Sequence, residues 1–258
     1  MRTNWVRERL QAGRPNAGCF MGLGSPLVAE LLAHAGYDWL SIEMEHNGLD
    51  FGGVQQMIMA INATDCIPIA RIPSSEPTFI QRALDIGAMG ILVPMVRSAE
   101  EAEAIVAMTR YPPAGKRSFG PLRASNYTTD YESYFAGAND NMLVVLMLET
   151  KEAFDDFEAI TSVPGVDAVY AGRFDLSLSL GFNPMEEESI PPIEEALEHA
   201  LAIGRKNGVA MGYGCGSPEE LRMRVEQGFT FLCYATDYNL IVDTALDRLK
   251  AVGDILRT

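Results

Sequence analysis

The sequence of 258 residues has few of the side chains that build zinc sites or disulfide frameworks. Histidine occurs three times and cysteine four times. The cysteines form no CxxC pair and lack zinc-finger spacing, which favours reduced thiols in or near the core; they are Cys19, Cys66, Cys215 and Cys233. The sequence therefore argues against a structural metal bound by sulfur.

Basic residues are also scarce, since 20 lysines and arginines face 35 acidic residues and give a net charge of −15. Nucleic acid needs clustered lysine and arginine, so the composition argues against such a partner. No apolar run approaches the roughly 20 residues that span a bilayer. The first 18 residues contain no apolar core typical of a signal peptide. We expect a cytoplasmic protein that acts on small molecules. Anionic small molecules stay among the candidate ligands if arginine or a metal makes the pocket locally positive.

Short apolar runs alternate with amphipathic helical stretches along the whole chain. Leu143–Leu148, for example, is entirely apolar, as expected of a strand covered by helices on both faces. Eight alternating units favour a closed (β/α)8 TIM barrel in one domain over residues 1–258. The predicted strands are Gly18–Leu23, Trp39–Met44, Ile67–Ile72, Gly90–Pro94, Leu143–Glu149, Ala168–Gly172, Val209–Gly214 and Thr230–Tyr234.

One connection of the predicted barrel is longer than the others. It runs from Tyr111 to Asn141 and follows the helix after the fourth strand. Long excursions in compact domains are often functional lids or interface segments. We therefore expect this segment to serve as one or the other.

Polar side chains follow four of the predicted strands, at the point where each strand ends. They are His46, Arg71, Glu149 and Asp175. In a barrel, the carboxyl ends of the strands meet at one mouth, where active sites lie. Two carboxylates form an oxygen-rich site that suits Mg²⁺ or Mn²⁺. An arginine there can hold a carboxylate or an enolate oxygen, and a histidine can move protons near neutral pH.

Each of these residues also has a structural interpretation. His46 alone could be an ordinary hydrogen-bonding histidine, and Arg71 could be a solvated charge or pair with Asp85. Glu149 and Asp175 could each cap a helix. The four groups at one mouth together favour an active site over these separate explanations.

Several motifs resemble those of the HpcH/HpaI aldolase family, the class II, metal-dependent pyruvate aldolases. This family includes 4-hydroxy-2-oxoheptanedioate aldolase and 2-keto-3-deoxyglucarate-type aldolases. The resemblance extends from Gly18 to the last helix. Its motifs are Ile42-Glu-Met-Glu-His46, Ile69-Ala-Arg71-Ile-Pro73, Leu84-Asp85-Ile-Gly-Ala88, Val93-Pro-Met-Val96, Tyr111-Pro-Pro-Ala-Gly115, Leu148-Glu149-Thr150 and Pro164-Gly-Val-Asp-Ala-Val-Tyr-Ala-Gly172 leading into Asp175-Leu-Ser177.

The resemblance implies a barrel of the phosphoenolpyruvate/pyruvate-binding type with a divalent metal cation, Mg²⁺, Mn²⁺ or Co²⁺. Glu149 and Asp175 would bind the metal, and Arg71 would stabilise an enolate. His46, oriented by Asp85, would act as the acid and base. Family members assemble as hexamers that exchange the last helix, here about residues 236–258.

The resemblance also implies that the segment from Gly172 to Asp175 seats the carboxylate of pyruvate. Three of the substrate-binding residues depart from the family pattern. Met147 stands where the family usually has glutamine, and it cannot donate a hydrogen bond. Arg173 and Phe174 replace a proline and its neighbour, which adds charge and bulk beside the metal. We expect Arg173 to bias the pocket toward acidic or highly oxygenated substrates.

The activity implied is that of an aldehyde-lyase. It would reversibly cleave a 4-hydroxy-2-oxo acid into pyruvate, or a related 2-oxo acid, and an aldehyde through a metal-stabilised enolate. Three alternatives stay open. They are an oxaloacetate-type decarboxylase with the same enolate site, a non-catalytic barrel that binds a keto acid, and an aldolase that forms a Schiff base on Lys151.

Overall fold

Eight parallel strands close into a barrel in the computed structural model, which describes residues 1–187 and 190–256. Each strand pairs with the next along the chain, and the eighth pairs with the first. The (β/α)8 prediction is therefore confirmed. The strands are β1 (Asn16–Met21), β2 (Trp39–Glu43), β3 (Ile67–Arg71), β4 (Gly90–Val93), β5 (Leu143–Leu148), β6 (Ala168–Ala171), β7 (Ala210–Gly214) and β8 (Phe231–Thr236).

Helices connect these strands and surround the barrel. Serine N-caps begin several of them: the hydroxyls of Ser25, Ser98 and Ser217 accept hydrogen bonds from backbone N–H groups three residues later. The helices are α1 (Trp5–Gln11), α2 (Pro26–Ala35), α3 (Phe51–Ile61), α4 (Pro77–Asp85), α5 (Ala99–Thr109), α6 (Tyr131–Asn141), α7 (Lys151–Asp155), α8 (Phe157–Thr161), α9 (Arg173–Ser179), α10 (Ile190–Asn207), α11 (Pro218–Gln227) and α12 (Asp237–Leu256).

Two apolar cores follow from the alternation of side chains along the strands. Leu40 and Ile42 of β2 point outward into the core between sheet and helices. Trp39 points inward and stacks on Phe231, with ring centroids 4.2 Å apart. Gly18 faces this ring so closely that an added Cβ would lie 2.0 Å from it. The barrel interior is thus filled by side chains and is closed below the mouth.

The predicted strand bounds agree with the structure to within two residues at every end. Most of the predicted strands run one or two residues too far at their carboxyl ends. The extra residues include Met44 and Glu149, which lie just beyond the last paired residues of β2 and β5. Apolar periodicity therefore located the strands, but it did not distinguish the last ladder residue from the first residue of the mouth.

The long connection 111–141 lies at the amino end of the barrel, because it joins the end of α5 to the start of β5. Its Arg117 is buried and donates to Asp85 over 2.7 Å. Asn141, at the end of α6, accepts from the backbone N–H of Asn4 over 2.6 Å. Within this chain the segment does not cover the mouth, so the lid interpretation fails. A role in an interface stays a prediction.

The start of the last helix is anchored to the barrel by Asp237. The carboxylate of Asp237 accepts from the backbone N–H groups of Gly22 and Leu23, over 2.8 and 3.1 Å. Beyond it, side chains of α12 are exposed as far as Val252. The prediction for residues 236–258 includes positions 257 and 258, which lie outside the described residues. In the described part of the chain, we find no helix that combines the length and apolarity needed to span a membrane.

Candidate active site

The carboxyl ends of the strands surround a cavity of about 330 Å³ at the mouth of the barrel. Its wall includes His46, Arg71, Met147 and Asp175, which come from four different strand ends. Ligand sites of this size are typical of small-molecule enzymes. The structure therefore brings together most of the residues that the sequence analysis selected.

Strand alternation aims three charged side chains into the barrel. Inward-facing Trp39, Ile69 and Met147 belong to the interior core. Continuing each strand in steps of two residues reaches Glu43, Arg71 and Glu149. Glu43, which the sequence analysis did not select as a site residue, was detectable from this alternation.

Two carboxylates hold Arg71 at the mouth. Its Nη1 donates to Glu43 over 3.0 Å, and its Nη2 forms an ion pair with Glu45. The side chain of Arg71 is 11% exposed. Glu43 also accepts from the backbone N–H groups of Glu45 and His46, over 2.6 and 3.1 Å. Arg71 is thus neither a solvated charge nor a partner of Asp85.

His46 lies at the open side of the mouth. Its Nε2 is 3.4 Å from Arg71 Nη2 and 3.4 Å from a carboxylate oxygen of Glu45. Its side chain is 64% exposed, so substrate and solvent can reach it. Within this chain Asp85 does not orient His46, because Asp85 ends α4 at the amino side of the barrel and pairs there with Arg117. The charged groups beside the imidazole are instead Glu45 and Arg71.

Glu149 is a buried carboxylate whose two oxygens have different surroundings. The residue is 2% exposed, and its Oε1 accepts from the backbone N–H of Met95 over 2.5 Å. Met95 has a φ of 55°, a left-handed conformation that costs a non-glycine residue about 1 kcal/mol. Oε2 is buried and has no hydrogen-bond partner among the described residues. Thr150, and not Glu149, caps α7.

Burial raises the pKa of Glu149 to about 7, and the nearby charges of Glu45 and Asp175 act in the same direction. Asp175 lies in the first turn of α9, whose N-cap is Gly172. Neither carboxylate therefore has the capping role that was the structural alternative. An added Cβ on Gly172 would lie 2.8 Å from Glu149 Oε2, so glycine is needed to leave space around this oxygen.

The donor set fits a divalent metal. Glu149 and Asp175 supply only oxygen, the ligand atom that Mg²⁺ and Mn²⁺ prefer. A cation would provide the missing partner of Glu149 Oε2 and would stabilise its charged form. Among the described residues, no group of three or more histidine, cysteine, aspartate or glutamate side chains is arranged to hold a metal ion. Water and substrate would have to complete the coordination of a metal held by two carboxylates.

The floor and the far wall of the cavity differ in character. Met147 and Tyr170 are buried in the floor, with Phe20 packed edge-to-face against Tyr170 at 5.4 Å. Arg173 lies on the wall, with its guanidinium 4.5 Å from the ring of Phe174. The aromatic residues of the floor were not selected from the sequence, because nothing but the closure of the barrel brings β1 and β6 together.

The pKa of Glu149 predicts how stability depends on pH without metal. In the unfolded chain this carboxyl titrates near 4.5, and in the fold near 7. Between these values the folded state holds a proton that the unfolded state has released. The free energy of unfolding should therefore fall as pH rises from 4.5 to 7, by about 3 kcal/mol in total.

Urea unfolding at pH 5, 6, 7 and 8 in the presence of a chelator measures this change. Mg²⁺ at pH 8 should restore stability, because the cation binds the deprotonated carboxylate. E149Q, which cannot titrate, should lose most of the slope. The assignment is wrong if E149Q and the wild type show the same dependence on pH.

Comparisons with known proteins agree with this geometry. The family model described as HpcH/HpaI aldolase/citrate lyase matches residues 16–244. The hydroxypyruvate/pyruvate aldolase of Roseovarius nubinhibens is 36% identical over 96% of both chains. The 4-hydroxy-2-oxo-heptane-1,7-dioate aldolase of Salmonella dublin is 38% identical, over 92% of this chain and 90% of the relative. A solved HpcH/HpaI aldolase/citrate lyase family protein from Burkholderia cenocepacia J2315 superposes with a TM-score of 0.91 and 33% identity, covering 97% of this chain and 99% of that one.

Proposed function

The chain belongs to the HpcH/HpaI aldolase/citrate lyase family, and from this premise we propose that it is a metal-dependent aldolase. Its reaction is the reversible cleavage of a 4-hydroxy-2-oxo acid into pyruvate, or a related 2-oxo acid, and an aldehyde. The observation that supports this most strongly is the position of Arg71 on the cavity wall and of the buried Glu149 directly behind Gly172 of the same wall, with one carboxylate oxygen that has no partner among the described residues. The named aldolases among its relatives support the same reaction class.

Glu149 and Asp175 are the residues that would hold the divalent cation, Mg²⁺, Mn²⁺ or Co²⁺. When bound, the cation supplies Lewis-acid catalysis and a template for the oxygens of the 2-oxo acid. Gly172 leaves space for a ligand beside Glu149. Backbone N–H groups between Gly172 and Asp175 open α9 without a side-chain cap, so we propose that they receive the carboxylate of the donor.

Arg71 stabilises the charge that develops in the reaction. In the cleavage direction, the C4 hydroxyl loses its proton and the C3–C4 bond breaks. The electron pair moves onto the oxygen at C2, which gives an enolate that is then protonated at C3. A guanidinium already held by Glu43 and Glu45 can meet this oxygen with little reorganisation. Its buried Nε has no partner among the described residues and adds a donor.

His46 moves the proton. Its imidazole is exposed at the mouth, where the C4 hydroxyl of a substrate can reach it. Glu45, 3.4 Å from Nε2, stabilises the protonated imidazole when His46 accepts the proton. The same residue can return the proton to the aldehyde oxygen in the direction of synthesis.

Hydrogen exchange at the methyl group of pyruvate in D₂O tests the function. The aldolase should exchange these protons only with a divalent cation, and it should add pyruvate to an aldehyde. A protein that merely binds the keto acid leaves the protons in place, and that result would overturn the proposal. A decarboxylase would release carbon dioxide from oxaloacetate without forming aldol products. Lys151 is exposed and pairs with Asp155, so its surroundings do not favour a Schiff base on this lysine.

We also propose that the protein is a homo-oligomer, a hexamer by family resemblance, in which α12 packs on a neighbouring copy. Apolar side chains on α12 are exposed, among them Ile241, Leu246 and Leu249. On the barrel, Leu27 and Leu31 of α2 are also exposed. Clusters of exposed apolar side chains often mark interaction surfaces, and we propose that a second copy of the chain supplies the complementary face.

Light scattering of two charge-matched variants tests the assembly. L246D places a carboxylate on the apolar face of α12 and should dissociate the oligomer. T244D adds the same charge on the polar side of the helix, at another exposed residue, and should leave the assembly intact. A wild-type monomer at micromolar concentration would contradict the proposal.

A further inference from the structure

Tyr170 of β6 brings a hydroxyl into the catalytic cavity. The residue is 6% exposed, and its ring lies among the apolar side chains of the barrel interior. Phe20 and Phe231 pack edge-to-face against this ring, with centroids 5.4 and 6.4 Å away. Tyr170 also lines the cavity that contains Arg71. The floor of the cavity is therefore aromatic, and the hydroxyl of Tyr170 adds a polar group to it.

The sequence of β7 leaves room for this hydroxyl. Met211 and Tyr213 of β7 belong to the outer core, so Gly212 and Gly214 occupy the positions that face inward. An added Cβ on Gly212 would lie 2.9 Å from the ring of Tyr170, and one on Gly214 would lie 2.8 Å from its hydroxyl oxygen. The two glycines thus let the ring cross from β6 to β7 and place the hydroxyl beside Gly214, which also lines the cavity.

The hydroxyl of Tyr170 lacks a strong hydrogen-bond partner. Among the described residues, no oxygen or nitrogen atom forms a hydrogen bond with it. The thiol of Cys233 lies beside it, but Cys233 Sγ already donates to the carbonyl of Ala235 over 3.1 Å. Toward Tyr170 the sulfur can therefore serve only as an acceptor, and sulfur accepts weakly. A ligand that offers this buried hydroxyl an oxygen would gain a hydrogen bond.

We propose that Tyr170 selects, as the donor, a 2-oxo acid with a hydroxyl on C3, so that the substrate of cleavage is a 3,4-dihydroxy-2-oxo acid. The proposal rests on the aldolase function given above and adds the identity of the donor to it. A phenol hydroxyl both donates and accepts, so it can bond to a hydroxyl on C3. A site that hydrogen-bonds a substrate hydroxyl discriminates against the analogue that lacks it.

The proposed binding mode directs C3 of the donor toward Tyr170. The oxygen on C2 meets Arg71 and the cation, and the carboxylate meets the backbone N–H groups that open α9. C3 is the remaining group on C2, and the aldehyde approaches it from the open mouth. A substituent on C3 that leaves this approach free lies against the floor, where Phe20 and Tyr170 are. A methyl group there meets only apolar surface that it can pack against, whereas a hydroxyl also meets the hydroxyl of Tyr170.

The experiment compares hydroxypyruvate with 2-oxobutyrate, which carry a hydroxyl and a methyl group of similar size on C3, in aldol addition to acetaldehyde. The readout is the ratio of their kcat/KM values. Y170F should lower this ratio by about tenfold, the usual contribution of one hydrogen bond. The intrinsic acidity of C3 differs between the two donors, but it is the same for both proteins and cancels in the comparison.

Two further measurements separate the possible failures. Without exchange of the methyl protons of pyruvate in D₂O, the aldolase function itself is rejected. Normal exchange by the wild type, together with an unchanged ratio in Y170F, rejects only the role of Tyr170. Y37F is the matched control, because Tyr37 precedes β2 at the amino end of the barrel, and it should keep the wild-type ratio.

G214A tests the same contact from the other strand and serves if Y170F does not fold. Its methyl group would lie against the hydroxyl of Tyr170 and should lower the ratio by a similar factor. Since both changes act on one contact, the double variant Y170F/G214A should show no further fall beyond that of Y170F. A wild-type ratio in G214A, or a second full decrease in the double variant, would overturn the assignment of Tyr170.

Discussion

E149Q should lower kcat/KM for aldol cleavage by about a thousandfold or more, since a bound cation commonly contributes several kcal/mol to stabilising a transition state. Glutamine keeps the shape of the side chain and can still accept from the backbone N–H of Met95. It removes the negative charge that would hold the cation. Calorimetric titration with Mn²⁺ should show correspondingly weaker binding.

The stability of E149Q separates a lost ligand from a lost fold. A neutral side chain is favoured at a buried position where the carboxyl has a pKa of about 7. Without metal at pH 8, E149Q should therefore be at least as stable as the wild type. E152Q, three residues later on the exposed side of α7, is the matched control and should retain full activity. Near-normal activity of E149Q would show that this carboxylate does not serve the cation.

R71K should reduce kcat by about a hundredfold to a thousandfold, the range seen when a donor to a developing oxyanion is lost. Lysine preserves the charge, so Glu43 and Glu45 keep a cationic partner and the fold should survive. Lysine lacks the planar guanidinium fork. That fork can donate to an enolate oxygen while it stays hydrogen-bonded to two carboxylates. Since the loss falls on the transition state, kcat should change much more than KM.

R82K is the control for R71K. Arg82 is exposed on α4, with its guanidinium 4.0 Å from the ring of Phe51. Replacing it by lysine makes the same chemical change away from the mouth, so the kinetics should stay at the wild-type level. A loss of less than tenfold in R71K would remove Arg71 from the proposed role and would leave enolate stabilisation to the cation alone.

The site could be predicted from the sequence where a residue ends a strand, and not where contacts join distant elements. Arg71 and Glu149 were found because each interrupts an apolar run at the carboxyl end of a strand. The pairing of Arg71 with Glu43 was not predicted, although the alternation of side chains along β2 directs Glu43 into the barrel. Register between two strands decides that contact: Glu43 lies directly beside Arg71 in the parallel pair of β2 and β3.

The expected contact between His46 and Asp85 was not found within one chain. In the sequence, Asp85 lies at the end of a predicted helix. The prediction did not take into account that such a helix end lies close to the start of the next strand. A helix that returns from the mouth ends at the opposite side of the barrel, and there Asp85 meets Arg117 from the long connection. The order of the elements was thus sufficient to exclude the contact.

Composition and apolar period by themselves determined the eight strands, the barrel and the edge of the barrel where the candidate site lies, because burial on two faces requires continuous apolar strands and leaves charge only at their ends. Tertiary structure decided what each charged group does. The pKa of Glu149 and the ion pairs of Arg71 depend on neighbours from other strands. Such effects arise from burial and from distances of a few ångströms, which exist only after the ring of strands has closed.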